Sequence, residues 1–150
     1  MKPITVLLAD DNGVVRTEFR KILEGADDLE VVGEAKNGLQ AVAMVKKLRP
    51  ALVLMDIAMP LLNGLHATRQ ILKAAPATKV LMLSAHSDDA YVEAATDSGA
   101  MGYLLKQSCA DCVCHAIRDV QKGNTFFSRS IPSRLRKPNR QKQRKPAPLP

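Results

Sequence analysis

The chain of 150 residues has the length of one domain, and its 46% hydrophobic content is ordinary for a globular protein. No apolar stretch approaches the roughly 18 residues of a membrane span, and Met1-Lys2-Pro3 leads straight into a strand pattern without a signal-peptide apolar region, so a cytoplasmic location and no membrane partner are expected. The formal net charge of +7 averages two unlike parts: all 15 acids lie between Asp10 and Asp119, whereas Arg129, Arg134, Arg136, Lys137, Arg140, Lys142, Arg144 and Lys145 all follow Ser128. Residues 1–128 are therefore close to neutral, and the basic excess belongs to the tail.

In chain order, Ile4-Thr5-Val6-Leu7-Leu8-Ala9 predicts a first strand, β1, ended by Asp10-Asp11. Val14, Val15, Phe19, Ile22 and Leu23 recur at helical spacing and predict α1, with Asn12 as N-cap. Residues 29–35 predict β2, nearer an edge because they include polar side chains. Residues 38–48 predict α2, with Leu39, Val42, Ala43 and Leu48 inward. Ala51-Leu52-Val53-Leu54-Met55 is too short an apolar run for a helix and predicts a doubly buried β3 that ends in Asp56. Residues 64–74 predict α3, Lys79-Val80-Leu81-Met82-Leu83 predicts β4, and the Ala-rich stretch from Asp88 to Asp97 predicts α4. Ala100-Met101-Gly102-Tyr103-Leu104-Leu105 predicts β5. Ser108 then caps α5, with Asp111 at the capping-box position and Val113, Ile117 and Val120 facing in.

This alternation predicts an α/β fold, a flavodoxin-like (βα)5 doubly wound sandwich with a parallel sheet in the order 2-1-3-4-5. Such a sheet has its switch point between β1 and β3, and ligands bind at the carboxyl ends of the strands there. Asp10, Asp11 and Asp56 sit at those two strand ends. Three carboxylates brought together there suggest a divalent metal site with a nucleophile inside it. Ser84-Ala85 ends β4 and Lys106 ends β5, adding a hydroxyl and an amine at the same edge.

Together these strand ends closely resemble the receiver domain of bacterial two-component response regulators, over residues 4–122. The motifs are Asp10-Asp11, Met55-Asp56 with Pro60 and Gly64 downstream, Ser84-Ala85, and Tyr103-Leu104-Leu105-Lys106. The resemblance implies that Asp56 accepts a phosphoryl group from a sensor histidine kinase. It implies Mg²⁺ held by Asp10, Asp11, Asp56 and the backbone carbonyl of Ala58, since an anionic group is attacked by a carboxylate only when its charge is neutralised. Lys106 would pair with a phosphoryl oxygen, Ser84 would hydrogen-bond another, and the small Ala85 would leave room for entry. Ser84 and Tyr103 would act as the switch that biases the α4–β5–α5 surface between two packings, and a homodimer through that surface is one implied output.

The subgroup most resembled is the NarL/FixJ type, through Asn63-Gly64-Leu65, the segment Asn124 to Ser128, and Gln107 in place of the proline that follows the lysine in many receivers. Competing readings are weaker. Asp10-Asp11 alone would be helix N-terminal acids favoured by the dipole. A phosphatase with an aspartyl nucleophile normally has a second acid where Ala58 stands, and a flavodoxin-like cofactor binder would need a glycine- or hydroxyl-rich phosphate loop after β1. The expectation is a signalling module rather than an enzyme. Cys109, Cys112, Cys114 and His115 are read as helix residues, because tetrahedral zinc usually draws four ligands from more than one element. Cysteines this close cannot form a disulfide framework across the fold, which agrees with a reducing compartment.

The expected division is a receiver domain over residues 1–123 and a basic, Pro-rich linker or disordered tail over residues 124–150. In the resembled subgroup such a linker leads to a helix-turn-helix domain, and here the chain ends in Pro146-Ala147-Pro148-Leu149-Pro150. The alternative reading is a DNA-binding transcription regulator truncated before that domain. The tail's bases would give weak, salt-sensitive nucleic-acid binding at most.

Overall fold

In the computed structural model, which describes residues 2–108 and 110–136, six parallel strands pair in the order β2-β1-β3-β4-β5-β6. The strands are β1 (Ile4–Ala9), β2 (Leu29–Ala35), β3 (Leu52–Asp56), β4 (Lys79–Ser84), β5 (Gly102–Leu105) and β6 (Phe126–Phe127). The helices are α1 (Gly13–Glu24), α2 (Gly38–Leu48), α3 (Gly64–Ala74), α4 (Asp89–Ser98) and α5 (Ala110–Gln121). The first five strands follow the flavodoxin-like order, with β1 and β3 side by side at the switch point.

Alternate residues of each central strand feed two cores. Leu7, Val53, Met55, Val80, Met82 and Tyr103 point to the side of α2, α3 and α4. Val6, Leu8, Leu52, Leu54, Leu81 and Leu104 point to the side covered by α1 and α5. Every residue of β3 is buried, which is why its sequence shows a continuous apolar run rather than an alternation. Burying each such Leu, Val or Met contributes about 1.5–3 kcal/mol.

Three asparagines start helices by the same device. The Asn12 Oδ1 accepts from the backbone N–H of Val14 at 2.9 Å, Asn37 Oδ1 from Gln40 at 2.8 Å, and Asn63 Oδ1 from His66 at 2.9 Å. Helical faces differ in detail from the spacing. In α1 the buried residues are Phe19 and Leu23, while Val14 is exposed. In α2 the buried set is Gly38, Ala41, Val42 and Val45; Leu39 and Ala43 are exposed, and Leu48 is 38% exposed with its Cδ1 lying over Gly33 of β2.

The ordered fold continues past Gly123, where the sequence pattern ends. Phe126–Phe127 pair with β5, and a 3-10 turn at Ser133–Leu135 follows. Gly102 permits this pairing, since a Cβ there would lie 2.1 Å from the Phe126 carbonyl oxygen. An open edge strand exposes unpaired backbone groups, and β6 supplies partners for those of β5. Ile131 and Leu135 are buried in the α4-side core. The linker expected from residue 124 onward is thus folded against the domain as far as Arg136, and residues 137–150 lie outside the described residues.

Candidate functional site

Asp56 is the last residue of β3, and Asp10 follows β1 directly. The two strands pair with Ala9 opposite Met55, so their carboxyl ends are level. Asp10, Asp11 and Asp56 each offer an oxygen, and these oxygens lie within 4.8 Å of one another. Asp10 and Asp56 are buried, and Asp11 is exposed at the mouth.

Two loops hold this arrangement. At β1, the Asp10 N–H donates to Ala35 O, Asp10 Oδ1 accepts from the Asn12 N–H at 2.8 Å, and Arg16 Nη1 donates to the Asp10 carbonyl at 2.6 Å. Arg16 is itself anchored, its Nε 2.9 Å from Glu34 on β2, and Arg20 grips the other oxygen of Glu34 at 2.7 Å. At β3, the Gly64 N–H donates to Ile57 O at 2.8 Å, folding the loop back on the strand end. A Cβ at Gly64 would stand 2.1 Å from the Asp56 carbonyl oxygen, so only glycine allows this approach. Leu61 takes a left-handed conformation at φ 68° in the same loop. Ala58 is exposed at the rim, and the loop's backbone hydrogen bonds end on Ile57 and Pro60 rather than on its carbonyl.

Lys106 reaches in from β5. Its N–H extends the ladder onto Ser84 O at 2.8 Å, and its Nζ stands 2.9 Å from Asp10 Oδ2 and 3.4 Å from Asp56 Oδ1. Although the ammonium is close, Asp10 Oδ2 accepts no well-directed hydrogen bond. Burial, then the neighbouring Asp10 and more weakly Asp11, push the Asp56 pKa up to about 6, against the pull of Lys106. Burial draws the Lys106 pKa down, but Asp10 and Asp56 outweigh it and hold the ammonium above its ordinary value.

The cluster is short of positive charge. Three carboxylates face one ammonium, and one buried oxygen has no aligned donor. A divalent cation with oxygen ligands would bring the set to neutrality and satisfy that oxygen, so the residues fit such an ion.

Ser84 Oγ is buried and accepts from the His86 N–H at 3.0 Å. The Tyr103 hydroxyl donates to the His86 carbonyl at 2.6 Å, and its ring is 1% exposed. Burial raises the phenol above its ordinary pKa, with the Ser84 hydroxyl pulling the other way. Both candidate switch residues therefore meet on one backbone unit, that of His86. The sequence carries no signal for this, because His86 contributes N–H and C=O rather than its ring, which stacks on Tyr91 at 5.1 Å. Arg16 also escaped the sequence reading; its signal is the pair Arg16 and Arg20 one turn apart, facing an acid on β2.

The cysteines assemble no second centre among the described residues. Cys114 is buried, Cys112 is exposed, and His115 lies 3.3 Å from Asp119 on its own helix. Cys109 lies outside the described residues. A cavity of about 1250 Å³ opens between α1, α5 and β6, and none of the site residues line it.

The family model for the response regulator receiver domain matches residues 6–118. The transcriptional regulatory protein DegU of Brevibacillus brevis is 37% identical over 132 residues, covering 88% of this chain and 56% of that protein. The response regulator protein VraR of Staphylococcus aureus strain Mu3 is 38% identical over 141 residues, covering 94% of this chain and 66% of that protein. The chain thus spans about three fifths of the length of such relatives. Among solved structures, a two-component response regulator of the LuxR family from Aurantimonas aligns with a TM-score of 0.84 at 28% identity, over 89% of this chain and 96% of that one. The receiver domain of the response regulator NarL from Mycobacterium tuberculosis aligns with a TM-score of 0.80 at 31% identity, over 83% of this chain and all of that one. The fold, the level strand ends and these matches agree: the chain belongs to the response regulator receiver domain family of two-component systems, with NarL- and LuxR-type regulators among its relatives.

Proposed function

We propose that this chain accepts a phosphoryl group on Asp56 from the phosphohistidine of a sensor histidine kinase and relays it as a change of packing around Tyr103. The observation that carries the reading is Asp56 itself, a buried carboxylate at a strand end with Lys106 Nζ 3.4 Å away and two further acids beside it. The Asp56 oxygen attacks phosphorus, the P–N bond breaks, and the electron pair leaves with the donor imidazole, giving an acyl phosphate. A magnesium ion held by Asp10, Asp11, Asp56 and the Ala58 carbonyl would neutralise the incoming phosphoryl oxygens. Lys106, between Asp10 and Asp56, would add positive charge for the incoming phosphoryl oxygens, and the Ser84 hydroxyl would donate to one of them. With an apo pKa of about 6, Asp56 is mainly ionised at neutral pH, and a bound cation favours the attacking form further.

The output is a tightening of the Ser84–His86 loop as Ser84 is drawn to the phosphoryl group, felt at once by the Tyr103 hydroxyl that bonds the His86 carbonyl. In this reading the chain is a signalling module rather than an enzyme that turns over a substrate, and it works in the cytoplasm. No described helix is long and apolar enough to cross a membrane. A homodimer through the α4–β5–α5 surface is one output; among the structural neighbours, RcsB has been described as dimers bound to DNA. The longer relatives named as transcriptional regulators favour a second reading, in which this module controls a DNA-binding domain outside these 150 residues.

Acetyl phosphate with Mg²⁺ should raise the intact mass by one phosphoryl group, and Asp56→Asn should abolish the increase. An unchanged wild-type mass, or labelling that survives the substitution, would sink the assignment.

A further inference from the structure

The segment after α5 closes the side of the sheet on which the two switch residues lie. Ser128 fastens it to β5: its N–H donates to Tyr103 O at 3.0 Å, and its hydroxyl accepts from the Leu105 N–H at 2.9 Å. Further on, Ile131 is 1% exposed and Leu135 5%, and both join the apolar cluster that holds Val92 and Ala95 of α4 and the ring of Tyr103. Arg134 Nη2 lies 2.7 Å from Asp89 Oδ2 in the first turn of α4. Arg136 folds back and donates to the carbonyls of Ser128, Arg129 and Ile131, which makes the segment a closed strap.

The strap is thus anchored on α4, which follows the Ser84–His86 loop, and on β5, which pairs with the strand β4 that leads into it. Three hydrogen bonds join it to the site: His86 N–H to Ser84 Oγ, Tyr103 hydroxyl to His86 carbonyl, and Ser128 N–H to Tyr103 carbonyl. Without the strap, β6 would still pair with β5, but the Tyr103 carbonyl would lose the Ser128 N–H and the apolar cluster around its ring would lose Ile131 and Leu135. The Tyr103 bond to His86 would then compete with water, and the loop that carries Ser84 would lose its outer anchor.

We propose that the α4–β5 face is a docking surface for the chain's own residues 128–136, and that a seated strap and a filled Asp56 site stabilise each other. The coupling rests on the reading of Asp56 and Ser84 given above. A seated strap holds Tyr103 inward and the His86 backbone in place, so a phosphoryl oxygen meets a Ser84 hydroxyl whose loop is already ordered. Linkage requires the reverse effect: filling the site must tighten the strap.

The test uses the full chain with Mg²⁺ and beryllofluoride as the phosphoryl mimic, and measures both its affinity and amide hydrogen exchange over residues 126–136. Leu135→Ser should weaken beryllofluoride binding about five- to tenfold, the lower part of the usual range for coupled sites. Arg134→Glu should weaken it by about two- to threefold, as expected of an exposed ion pair, and adding Asp89→Arg should restore it. This charge-swapped pair keeps the test open if Leu135→Ser fails to fold. Beryllofluoride should also slow exchange in residues 126–136 of the wild type. Equal affinity in wild type, Arg134→Glu and the swapped pair, with strap exchange unmoved by beryllofluoride, would overturn the coupling while leaving the Asp56 reading intact. No binding by the wild type would remove both.

Discussion

The carboxyl ends of β1 and β3 and the outer edge at β5 and β6 are built on opposite terms. The first buries Asp10 and Asp56 beside one ammonium and leaves an oxygen without an aligned donor. The second buries Ile131 and Leu135 and gives the β5 backbone its missing partners. Burying unbalanced charge opposes folding, whereas covering an apolar edge favours it. The difference teaches where this fold holds a site and where it holds itself together: a poorly balanced charge cluster persists only because the surrounding strands and loops over-determine it.

The largest break in the comparison is at Asp56. Asp56→Asn should remove phosphoryl uptake altogether, yet raise the stability of the metal-free protein at pH 7, a combination that equilibrium unfolding and intact mass together reveal. The sign follows from the pKa. Asp56 titrates near 6 in the fold against an ordinary value of 3.8, so the folded state holds the extra proton between those values. Stability of the metal-free wild type should therefore fall as pH rises from about 4 to about 7, by on the order of 2–3 kcal/mol from this group. In Asp56→Asn that part of the slope should vanish. A wild-type stability that rises across the same window through Asp56 would contradict the description of the pocket.

Next in size are two packing changes, one in each region. Gly64→Ala drives a methyl group into the Asp56 carbonyl and should cost about 1–3 kcal/mol while also slowing phosphoryl uptake. Leu135→Ala should cost about 2–4 kcal/mol by opening a cavity under the strap, with phosphoryl uptake retained though slower. Chemical denaturation alongside uptake rates separates them: the first damages the site from within, the second from its outer anchor. If Leu135→Ala leaves the unfolding midpoint unchanged, the strap is not part of the stable fold. The smallest expected effect is at Arg16. Arg16→Lys should lower Mg²⁺ affinity by about two- to fivefold, because a point charge cannot bridge the Asp10 carbonyl and Glu34 together. Calorimetric titration with Mg²⁺ would show it.

The two regions were also unequally legible. The site could be read because strands of a parallel sheet announce themselves as short apolar runs, and the residue that stops each run is placed by the fold rule. Asp10, Asp56, Ser84 and Lys106 stand where such runs stop, and the structure places them at one edge of the sheet. The backbone role of His86 was not readable, since any residue supplies N–H and C=O. Neither was the sixth strand. Phe126-Phe127 is too short to show a period, and Ile131 and Leu135 stand among arginines whose composition resembles a linker. What orders them is an unsatisfied edge of β5 and an apolar gap beside α4, both properties of the assembled sheet.

The most direct test of the central claim is to locate the phosphoryl group. After treatment with acetyl phosphate and Mg²⁺, borohydride reduces an aspartyl phosphate to the corresponding alcohol, which peptide mass mapping can place. The account predicts a single reduced position, Asp56, in the wild type and none in Asp56→Asn. Reduction at Asp10 or Asp11, or a phosphoryl group on Ser84, would contradict it.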